Sequence, residues 1–349
     1  MPVVGGADRY LLQLFEALRE AGHEQVVYQR WTEEPQAFVR PLPRVPDWLK
    51  RGEFWLVPLL ARMRRRELRG YERLIVHYAP YLMACPHPRA IVISHGVFWD
   101  DRPGALRSRV KEWATRRAYR RAWQFVANDT NMLRAMGEKI EPGERPFEEV
   151  APGKWFVPNC VDTEFYRRGQ ADKRLAGMQA IAVVRNLFRN RGIDLAIRAF
   201  ARFVERALDA RLIIVGREGQ RGYLAELQAL ARQLGVEQKV VFLGHCDWRE
   251  TPGIYSGARM SLVPSVAGEG TSLSALESMA CGTPVIATKV GGLLDLPCVH
   301  AEASAHGLAE AMGEVWGRWE EYGTRQRERV VKEFNLGRWR EAWLRIIEG

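Results

Sequence analysis

VAGEGTSLSALESMACGTPVIAT, residues 266–288, combines a turn, a helix and a buried strand in one continuous stretch. Thr271 or Ser272 can cap the start of the helix, because a short hydroxyl side chain accepts a hydrogen bond from the first free N–H groups. Gly282 ends the helix, and Pro284 prevents its continuation. The apolar residues after Pro284 then predict a strand buried on both faces, which is typical of a parallel sheet.

The start of this helix is a candidate anion site. Gly270 lets the backbone turn tightly and lets a ligand approach closely. The first N–H groups of the helix, near Ser272 and Leu273, carry partial positive charge, and phosphate is their commonest ligand. Glu269 precedes the helix and Glu277 lies eight positions further on, where carboxylates can accept hydrogen bonds from hydroxyls. These features predict a ligand with both phosphate and sugar; two glutamates that merely face solvent are the alternative.

Length and composition indicate a soluble protein of two domains. The chain has 349 residues, of which 47% are hydrophobic and 27% are charged. The best apolar run, 54–61, contains a proline and is far too short to span a bilayer. No signal peptide follows Met1. The five scattered cysteines include no Cys-x-x-Cys pair, which predicts a reducing, cytoplasmic location without a disulfide framework or zinc site.

The net charge of +10 is concentrated in two basic stretches. The first runs from Arg62 to Arg69 and holds five arginines and one glutamate; the second runs from Arg102 to Arg121 and holds eight basic residues and one glutamate. Such stretches can bind nucleic acid, anionic lipid or a phosphorylated substrate. No nucleic-acid-binding module accompanies them, so we expect no nucleic acid partner. The second stretch predicts a helix that lies on an anionic membrane with Trp113 as anchor, or one that packs on the core with a solvated arginine face.

Short β-like runs alternate with helical stretches along the whole chain. In the first half, a helix is predicted over 7–21 and strands over 25–29, 73–77, 90–94 and 124–127. In the second half, the predicted strands are 181–184, 211–215, 240–243, 258–263 and 284–287, with helices over 193–206 and 223–234. This alternation predicts an α/β protein made of parallel sheets with helices on both faces.

The polar stretch 167–174 marks the predicted domain boundary. We expect a first domain over 1–170 and a second over 171–330. The end of the chain is helical, over about 308–322 and 326–347, and we expect a last helix over 331–349 that packs back on the first domain.

Residues 266–288 closely resemble the Glu-x7-Glu motif of retaining GT-B glycosyltransferases, particularly glycosyltransferase family 4. Residues 5–9, Gly-Gly-Ala-Asp-Arg, are similar to the family's first glycine-rich loop, and residues 157–162 resemble its interdomain Val-Pro-Asn-Gly-Val-Asp segment. The resemblance implies the GT-B architecture, two Rossmann-like doubly wound domains that face each other across a cleft. It also implies a hexosyltransferase-type retaining enzyme that moves a sugar from a UDP- or GDP-sugar to a glycan, lipid-linked or lipopolysaccharide-type acceptor.

A basic loop supplies the cations that the departing diphosphate would need. The sequence has no Asp-x-Asp to suggest a metal-bound diphosphate, so we expect no metal and fixed cations instead. Residues 184–194 resemble the family's Gly-Arg…Lys-Gly-x-Asp segment, with Arg185 in the place of the arginine and Arg191 in that of the lysine. The sequence departs at Val184, where glycine is usual, and at Arg191 itself. Arg189 is the alternative to Arg191, and a solvated basic loop is the alternative to both.

The resemblance extends the predicted site to both domains. It implies that Glu269 positions the donor sugar and that Glu277 holds the ribose. His95 follows the strand 90–94, at a carboxyl end where ligands bind; a neutral imidazole there could hydrogen-bond a sugar hydroxyl or relay a proton, although a lone histidine is often structural. The other predicted substrate contacts are Gly5, Gly6, Gly216, His245, Gly270, Thr271, Ser272 and Leu273.

The start of the chain departs from the family pattern. Members normally have an apolar strand before the glycine-rich loop, whereas only four residues precede Gly5 here. We therefore expect the first strand to be absent or a stub. The alternative function is a non-catalytic or truncated GT-B protein that binds a nucleotide or a partner, and a GT-B epimerase or phosphorylase is a third. No cofactor is expected beyond the nucleotide-sugar co-substrate.

Overall fold

The computed structural model describes residues 6–29, 39–41, 62–97, 99 and 105–349. The chain divides into two compact units. The first comprises Met1–Ile140, Phe147–Pro158 and Gly337–Gly349, and the second comprises Glu141–Pro146 and Asn159–Leu336. The division thus falls after Pro158 rather than at the predicted boundary of 170.

Residues 159–170 belong to the second unit because their apolar side chains pack into its core. Val161 and Tyr166 are buried in one cluster with Val263 and Leu276. A polar composition over 167–174 therefore marks a surface segment within the second unit and not the boundary itself.

The strands are short and mostly parallel. In chain order they are β1 (Val27–Gln29), β2 (Val39–Pro41), β3 (Leu74–Val76), β4 (Ala90–Ser94), β5 (Gln124–Ala127), β6 (Glu148–Ala151), β7 (Lys154–Phe156), β8 (Gln179–Val184), β9 (Ala210–Val215), β10 (Val240–Gly244), β11 (Ala258–Val263), β12 (Val285–Thr288) and β13 (Val299–Ala301). The predicted strands all lie among them, with ends that differ by one or two residues.

Helices connect most of these strands. They are α1 (Gly6–Glu20), α2 (Arg65–Leu68), α3 (Leu106–Arg121), α4 (Thr130–Met136), α5 (Ile193–Phe203), α6 (Tyr223–Gln233), α7 (Thr251–Gly257), α8 (Leu273–Ala280), α9 (Ala305–Trp316), α10 (Trp319–Glu333) and α11 (Leu336–Glu348).

The described strands of the first unit form two sheets. β1 pairs with β2 in parallel, and the other five strands have the order β3-β4-β5-β7-β6. All neighbours in this sheet are parallel except β6, which is antiparallel to β7. The sequence prediction lacks the β6–β7 hairpin, although the Pro152-Gly153 pair between its strands is an ordinary turn signal.

The second unit contains one parallel sheet of six strands in the order β10-β9-β8-β11-β12-β13. This order starts from β8, runs outward to β10, and then returns to continue from β11, which is the doubly wound pattern. The direction of winding therefore reverses between β8 and β11. Helix α5 buries Ile197, Phe200 and Phe203 against this sheet, at the spacing of one helix face.

The end of the chain is two helices rather than the single one predicted over 326–347. Helix α10 ends at Glu333 because the next residues pair with another segment: the Phe334 carbonyl accepts from Val161 N at 3.0 Å, and Asn335 forms a parallel bridge with Val161. Helix α11 then buries Trp339 and Trp343 in the first unit, where Trp343 Nε1 donates to Tyr10 Oη at 3.1 Å.

Gly192 lies where helix α5 begins against the end of β11. Its φ is +65°, and a Cβ added there would lie 1.9 Å from the carbonyl oxygen of Pro264. Only a residue without a side chain fits this approach.

We expect Gly192→Ala to destabilise the second unit by about 3 kcal/mol, because the backbone must move to relieve the clash. Gly235→Ala is the matched control: its φ is +69°, and an added Cβ would meet no atom within 4 Å. That change should cost only the left-handed strain, about 1 kcal/mol. Urea unfolding of the two variants measures the difference, and equal losses would show that the Pro264 contact does not constrain the fold.

Candidate active site

Arg185 and Ser265 lie at the carboxyl ends of neighbouring strands. Arg185 directly follows β8, and Ser265 comes two residues after the end of β11. Because the winding reverses between these two strands, both side chains lie at the topological switch point of the sheet. Ligands of open α/β sheets bind at this point.

Glu269 is the centre of a polar cluster at the switch point. Its carboxylate accepts from Nη2 of Arg185, at 3.0 Å to Oε1 and 2.8 Å to Oε2. It also accepts from Nη1 of Arg191, and from Oγ of Ser265 at 2.6 Å. Nη1 of Arg185 in turn donates to Ser265 Oγ at 3.1 Å. Arg185, Ser265 and Glu269 thus close a ring of hydrogen bonds, which Arg191 joins from outside.

Electrostatic interactions within the cluster keep the Glu269 carboxyl ionised. Burial opposes ionisation of the Glu269 carboxyl, but the guanidiniums of Arg185 and Arg191 and the Ser265 hydroxyl outweigh it, so its pKa lies below the usual value. Burial also lowers the pKa of Arg185, against the attraction of Glu269. A guanidinium nevertheless stays protonated in proteins. The site therefore holds one carboxylate and two cations at neutral pH.

The structure distinguishes Arg191 from Arg189, the alternative that the sequence left open. Both lie in one 3-10 turn, but Arg189 donates to Glu226 at 2.6 Å and does not contact Glu269. The side chain of Arg191 is 30% exposed, against 8% for Arg185. Arg191 is thus the cation of the cluster that solvent reaches.

Helix α8 begins at the predicted cap. Ser272 is the N-cap residue, and its Oγ accepts from Ala275 N at 3.4 Å. Thr271 instead accepts from Asn159, through its Oγ1 at 2.8 Å from the Asn159 N atom and through its carbonyl. Thr271 therefore joins α8 to the segment at the start of the second unit, and Leu273 opens the first turn of the helix.

Of the two glycines before α8, only Gly268 has the left-handed backbone. Its φ is +60°, whereas Gly270 is not among the glycines with positive φ. The backbone conformation that favours glycine therefore falls at Gly268, and a tight turn at Gly270 stays a prediction. Close approach of a ligand at Gly270 stays a prediction.

Glu277 lies inside α8 and is buried. Its Oε2 accepts from the hydroxyl of Tyr255 at 3.3 Å. Burial and the nearby carboxylate raise the pKa of Tyr255 well above its usual value, so the tyrosine remains a donor. Glu277 is thus held by the core of the unit rather than solvated. Tyr255 is not among the predicted site residues, because nothing in the sequence separates it from an ordinary core tyrosine.

A glycine pair after β12 supports the backbone of the site. Gly292 N donates to the carbonyl of Glu269 at 2.9 Å. This contact fixes the main chain beside the central carboxylate. Neither Ser265 nor Gly292 is among the predicted site residues, although each follows a predicted strand. A polar residue or a Gly-Gly pair at such a position is a signal for a ligand site.

Gly216 and His245 lie at the ends of the next two strands of the same sheet. Gly216 follows β9, and a Cβ there would lie 1.9 Å from the carbonyl oxygen of Arg185. Its lack of a side chain therefore lets β8 and β9 continue side by side past their ends. His245 follows β10, is exposed, and has its Nε2 2.8 Å from Nη2 of Arg217.

The remaining predicted residues belong to the first unit. His95 follows β4, and its Nε2 lies 3.2 Å from Nδ1 of His77, the residue that follows β3. Gly6 is the first residue of α1. Gly5 lies outside the described residues, so its predicted contact stays a prediction.

Within the described residues, no group of three or more His, Cys, Asp or Glu side chains could hold a metal ion. No helix in the same part of the chain is long and apolar enough to cross a membrane.

Comparison with known proteins identifies relatives of both halves. The sequence model of Glycosyltransferase Family 4 matches residues 4–165, and that of Glycosyl transferases group 1 matches residues 172–307. The chain is 34% identical over 181 residues to D-inositol 3-phosphate glycosyltransferase of Corynebacterium aurimucosum, covering 48% of this chain and 41% of that protein. It spans less than half the length of the curated relatives that it matches.

Solved structures share the fold over nearly the whole chain. Sucrose-phosphate synthase from Thermosynechococcus elongatus is similar at a TM-score of 0.78 and 20% identity, over 99% of this chain and 92% of that one. Anabaena HepE in complex with UDP-glucose is similar at 0.77 and 16% identity, over 100% and 97%. The two α/β units and these likenesses define a protein of the GT-B fold, as the sequence predicted. The two matched family models, one for each half of the chain, show that the chain belongs to the family 4 (group 1) glycosyltransferases.

The ionised cluster makes Glu269→Gln a test of its electrostatics. The amide leaves buried Arg185 without its carboxylate, so we expect a loss of about 3 kcal/mol in the free energy of unfolding at pH 7. Glu226→Gln is the matched control, because the Arg189–Glu226 pair is more than half exposed on both side chains and should contribute at most about 1 kcal/mol.

The same variant has a defined pH dependence. The pKa of Glu269 is lower in the folded than in the unfolded chain, so its stabilisation is complete above the unfolded pKa and lost as pH falls through the folded pKa. The stability difference between wild type and Glu269→Gln should therefore be constant near neutral pH and shrink below about pH 4. Chemical unfolding at several pH values measures it; a difference that grows with acid would contradict the assigned charges.

Proposed function

We propose that this protein is a retaining hexosyltransferase that uses a nucleotide-diphosphate sugar, with UDP or GDP as the nucleotide, and needs no metal ion. The acceptor we propose is a glycan, a lipid-linked sugar or a lipopolysaccharide-type molecule. The observation that carries the proposal is the cluster of Arg185, Arg191 and Glu269 at the switch point. Glu269 lies three residues before Ser272, the N-cap residue of α8. Two cations and a helix N-terminus provide the positive charge that a diphosphate requires.

The proposed reaction assigns a task to each part of the cluster. The bond between the anomeric carbon and the phosphate oxygen breaks, the acceptor oxygen bonds to the same face of the sugar, and its proton passes to the leaving phosphate. Arg191 and the first amides of α8, near Ser272 and Leu273, stabilise the charge that develops on the diphosphate. Glu269 binds hydroxyls of the donor sugar, and Glu277 binds the ribose.

Partial exposure favours Arg191 as the first cation to meet the diphosphate. Its side chain is 30% exposed and touches Glu269 from outside the hydrogen-bonded ring. Arg185 is 8% exposed and donates to both Glu269 and Ser265. A bound diphosphate can therefore take Arg191 without opening the buried ring.

The similar proteins support a nucleotide-sugar donor. HepE was solved with UDP-glucose, and the Corynebacterium relative is described as a D-inositol 3-phosphate glycosyltransferase. The first has the fold of this chain and the second matches about half of it, so both motivate the donor panel and neither defines the acceptor.

The proposal predicts that the purified protein releases nucleotide from one member of a panel of UDP-, GDP- and ADP-sugars, in the presence of EDTA. Arg191→Ala should lower kcat by about 100-fold, because a charged contact to the leaving diphosphate is lost in the transition state. Arg189→Ala is the matched control from the same turn and should keep the wild-type rate, since Arg189 faces Glu226.

Three results of this assay would each contradict a different part of the proposal. Equal losses in both arginine variants would overturn the site assignment. Tight nucleotide binding without turnover, tested also with membrane extract as acceptor, would favour the non-catalytic alternative. Turnover that disappears with EDTA and returns with Mg²⁺ would overturn metal independence.

We also propose that the first unit rests on the anionic inner face of a membrane through α3. Its buried face is Ala114, Thr115, Ala118 and Tyr119. Leu106 and Trp113 are 78% and 57% exposed on the same helix, and Arg120 and Arg121 are exposed at its end. Exposed apolar and basic side chains on one helix are typical of an interfacial segment. The stretch from Arg62 to Arg69 adds exposed Arg66 and Arg69.

Vesicle binding tests the membrane proposal. We expect the protein to sediment with phosphatidylglycerol-containing vesicles and not with phosphatidylcholine alone, and to do so less at high salt. Arg120→Glu/Arg121→Glu should weaken binding by about 10-fold or more, since each lost basic residue removes about 1 kcal/mol. The control Arg198→Glu/Arg232→Glu changes two exposed arginines of the second unit by the same charge. An equal loss in the control would attribute binding to net charge alone.

A further inference from the structure

His77 and His95 form a pair of contacting imidazoles at the carboxyl edge of the first unit's sheet. They directly follow the neighbouring parallel strands β3 and β4. His77 Nδ1 lies 3.2 Å from His95 Nε2, the ring centroids are 5.4 Å apart, and the angle between the ring planes is 22°. The Tyr10 ring meets both edge-on, with its centroid 5.1 Å from that of His95.

The pair is neutral at physiological pH. Burial lowers the pKa of His95 to about 4. Burial, together with the neighbouring His95, lowers the pKa of His77 well below its usual value. Each neutral imidazole has one ring proton, on either of its nitrogens. A hydrogen bond between Nδ1 of His77 and Nε2 of His95 requires that one of these two nitrogens carries its proton and the other does not.

The remaining nitrogen of His77 decides which residue donates. His77 Nε2 is buried and has no hydrogen-bond partner in the part of the chain that the structure describes. If His95 donated, this Nε2 would carry a buried proton with no acceptor. If His77 instead donates from Nδ1, its Nε2 carries no proton and is only an acceptor that no donor among the described residues reaches. Buried N–H groups without partners are the rarer of the two defects in proteins.

We infer that His77 is a positioning residue that holds His95 in the tautomer protonated on Nδ1. His95 Nε2 is then an acceptor occupied by His77. Nδ1 makes no hydrogen bond within the described residues, and His95 is partly exposed, so Nδ1–H is the group that meets a ligand. A hydrogen bond to one ring nitrogen of a histidine commonly decides in this way which nitrogen carries the proton.

This assignment specifies the chemistry that His95 offers. A neutral imidazole with an outward N–H donates a hydrogen bond to an oxygen of the substrate and cannot take a proton from it at that nitrogen. The recognised ligand group is therefore an acceptor oxygen, such as a sugar hydroxyl oxygen or a phosphoryl oxygen. This part of the inference rests on the proposed function, whereas the tautomer itself does not.

The first test reads the tautomer directly. In protein labelled with ¹⁵N-histidine, two-bond ¹H–¹⁵N correlation spectra at pH 7 identify the protonated nitrogen of each ring, and His95→Gln assigns the signals. We expect His95 to be protonated on Nδ1 alone. Protonation on Nε2, or a charged ring, would overturn the inference, whatever the activity of the enzyme.

Three variants link the tautomer to His77. His77→Leu removes the donor and should convert His95 to a mixture of tautomers. His77→Asn places an amide N–H where Nδ1 stood and should restore the wild-type spectrum. His87→Leu is the matched control, a buried histidine of the same unit whose Nε2 contacts the Tyr71 carbonyl at 3.0 Å, and it should leave His95 unchanged.

Turnover supplies a second, separable readout. With the donor found by nucleotide release, His77→Leu should lower kcat by about 10-fold with little change in KM for the donor, since one neutral hydrogen bond to the substrate is lost. His77→Asn should recover the rate. Equal defects in His77→Leu, His77→Asn and His87→Leu would indicate a merely structural role and overturn the inference. If wild type transfers no sugar, the proposed function fails, while the spectra still decide the tautomer.

Discussion

The buried carboxylate of Glu269 is the constraint on which the second unit's site depends. Donors reach it from three places: the end of β8, the turn before α5 and the loop after β11. A carboxylate removed from water costs several kcal/mol unless its oxygens are paired, so these segments must keep their positions while Glu269 stays charged. Apolar side chains of the same volume would stabilise a core equally well. Stability therefore does not account for the cluster, whereas the ligand site that we propose would account for it.

The topology explains why residues so distant in sequence meet at Glu269. Arg185 and Ser265 are 80 residues apart, yet they follow strands that are neighbours at the reversal of winding. Parallel strands present all their carboxyl ends at one edge, so each loop at that edge adds a side chain to the same place. Gly292, after β12, contributes the last contact from this edge through its backbone N–H.

Local sequence patterns were enough to predict the helix and strands that position the site. The hydroxyl cap, the glycine stop and the apolar run place α8 and β12 almost to the residue, and the apolar stretches of the second unit place its strands. What depends on distant partners could not be predicted. Helix α10 ends at Glu333 only because Val161 pairs with the following residues, and Ser265 belongs to the site only because β8 lies beside β11. Arg191 contacts Glu269 and Arg189 contacts Glu226 because one three-residue turn directs the two side chains to different partners.

The charges of the cluster match those of the nucleotide-sugar ligand that we propose. One carboxylate and two guanidiniums leave one positive charge in excess, and the N-terminus of α8 adds partial positive charge beside it. A neutral sugar alone would leave that excess uncompensated, whereas a sugar carried on a diphosphate brings both the hydroxyls that Glu269 can bind and the negative charge that the cations lack. Because Arg185 is bound within the ring and Arg191 touches it from outside, exchange of Glu269 for an anion requires one side chain to move. If the proposed ligand binds here, most of its site is therefore assembled before it arrives, which lowers the ordering cost of binding.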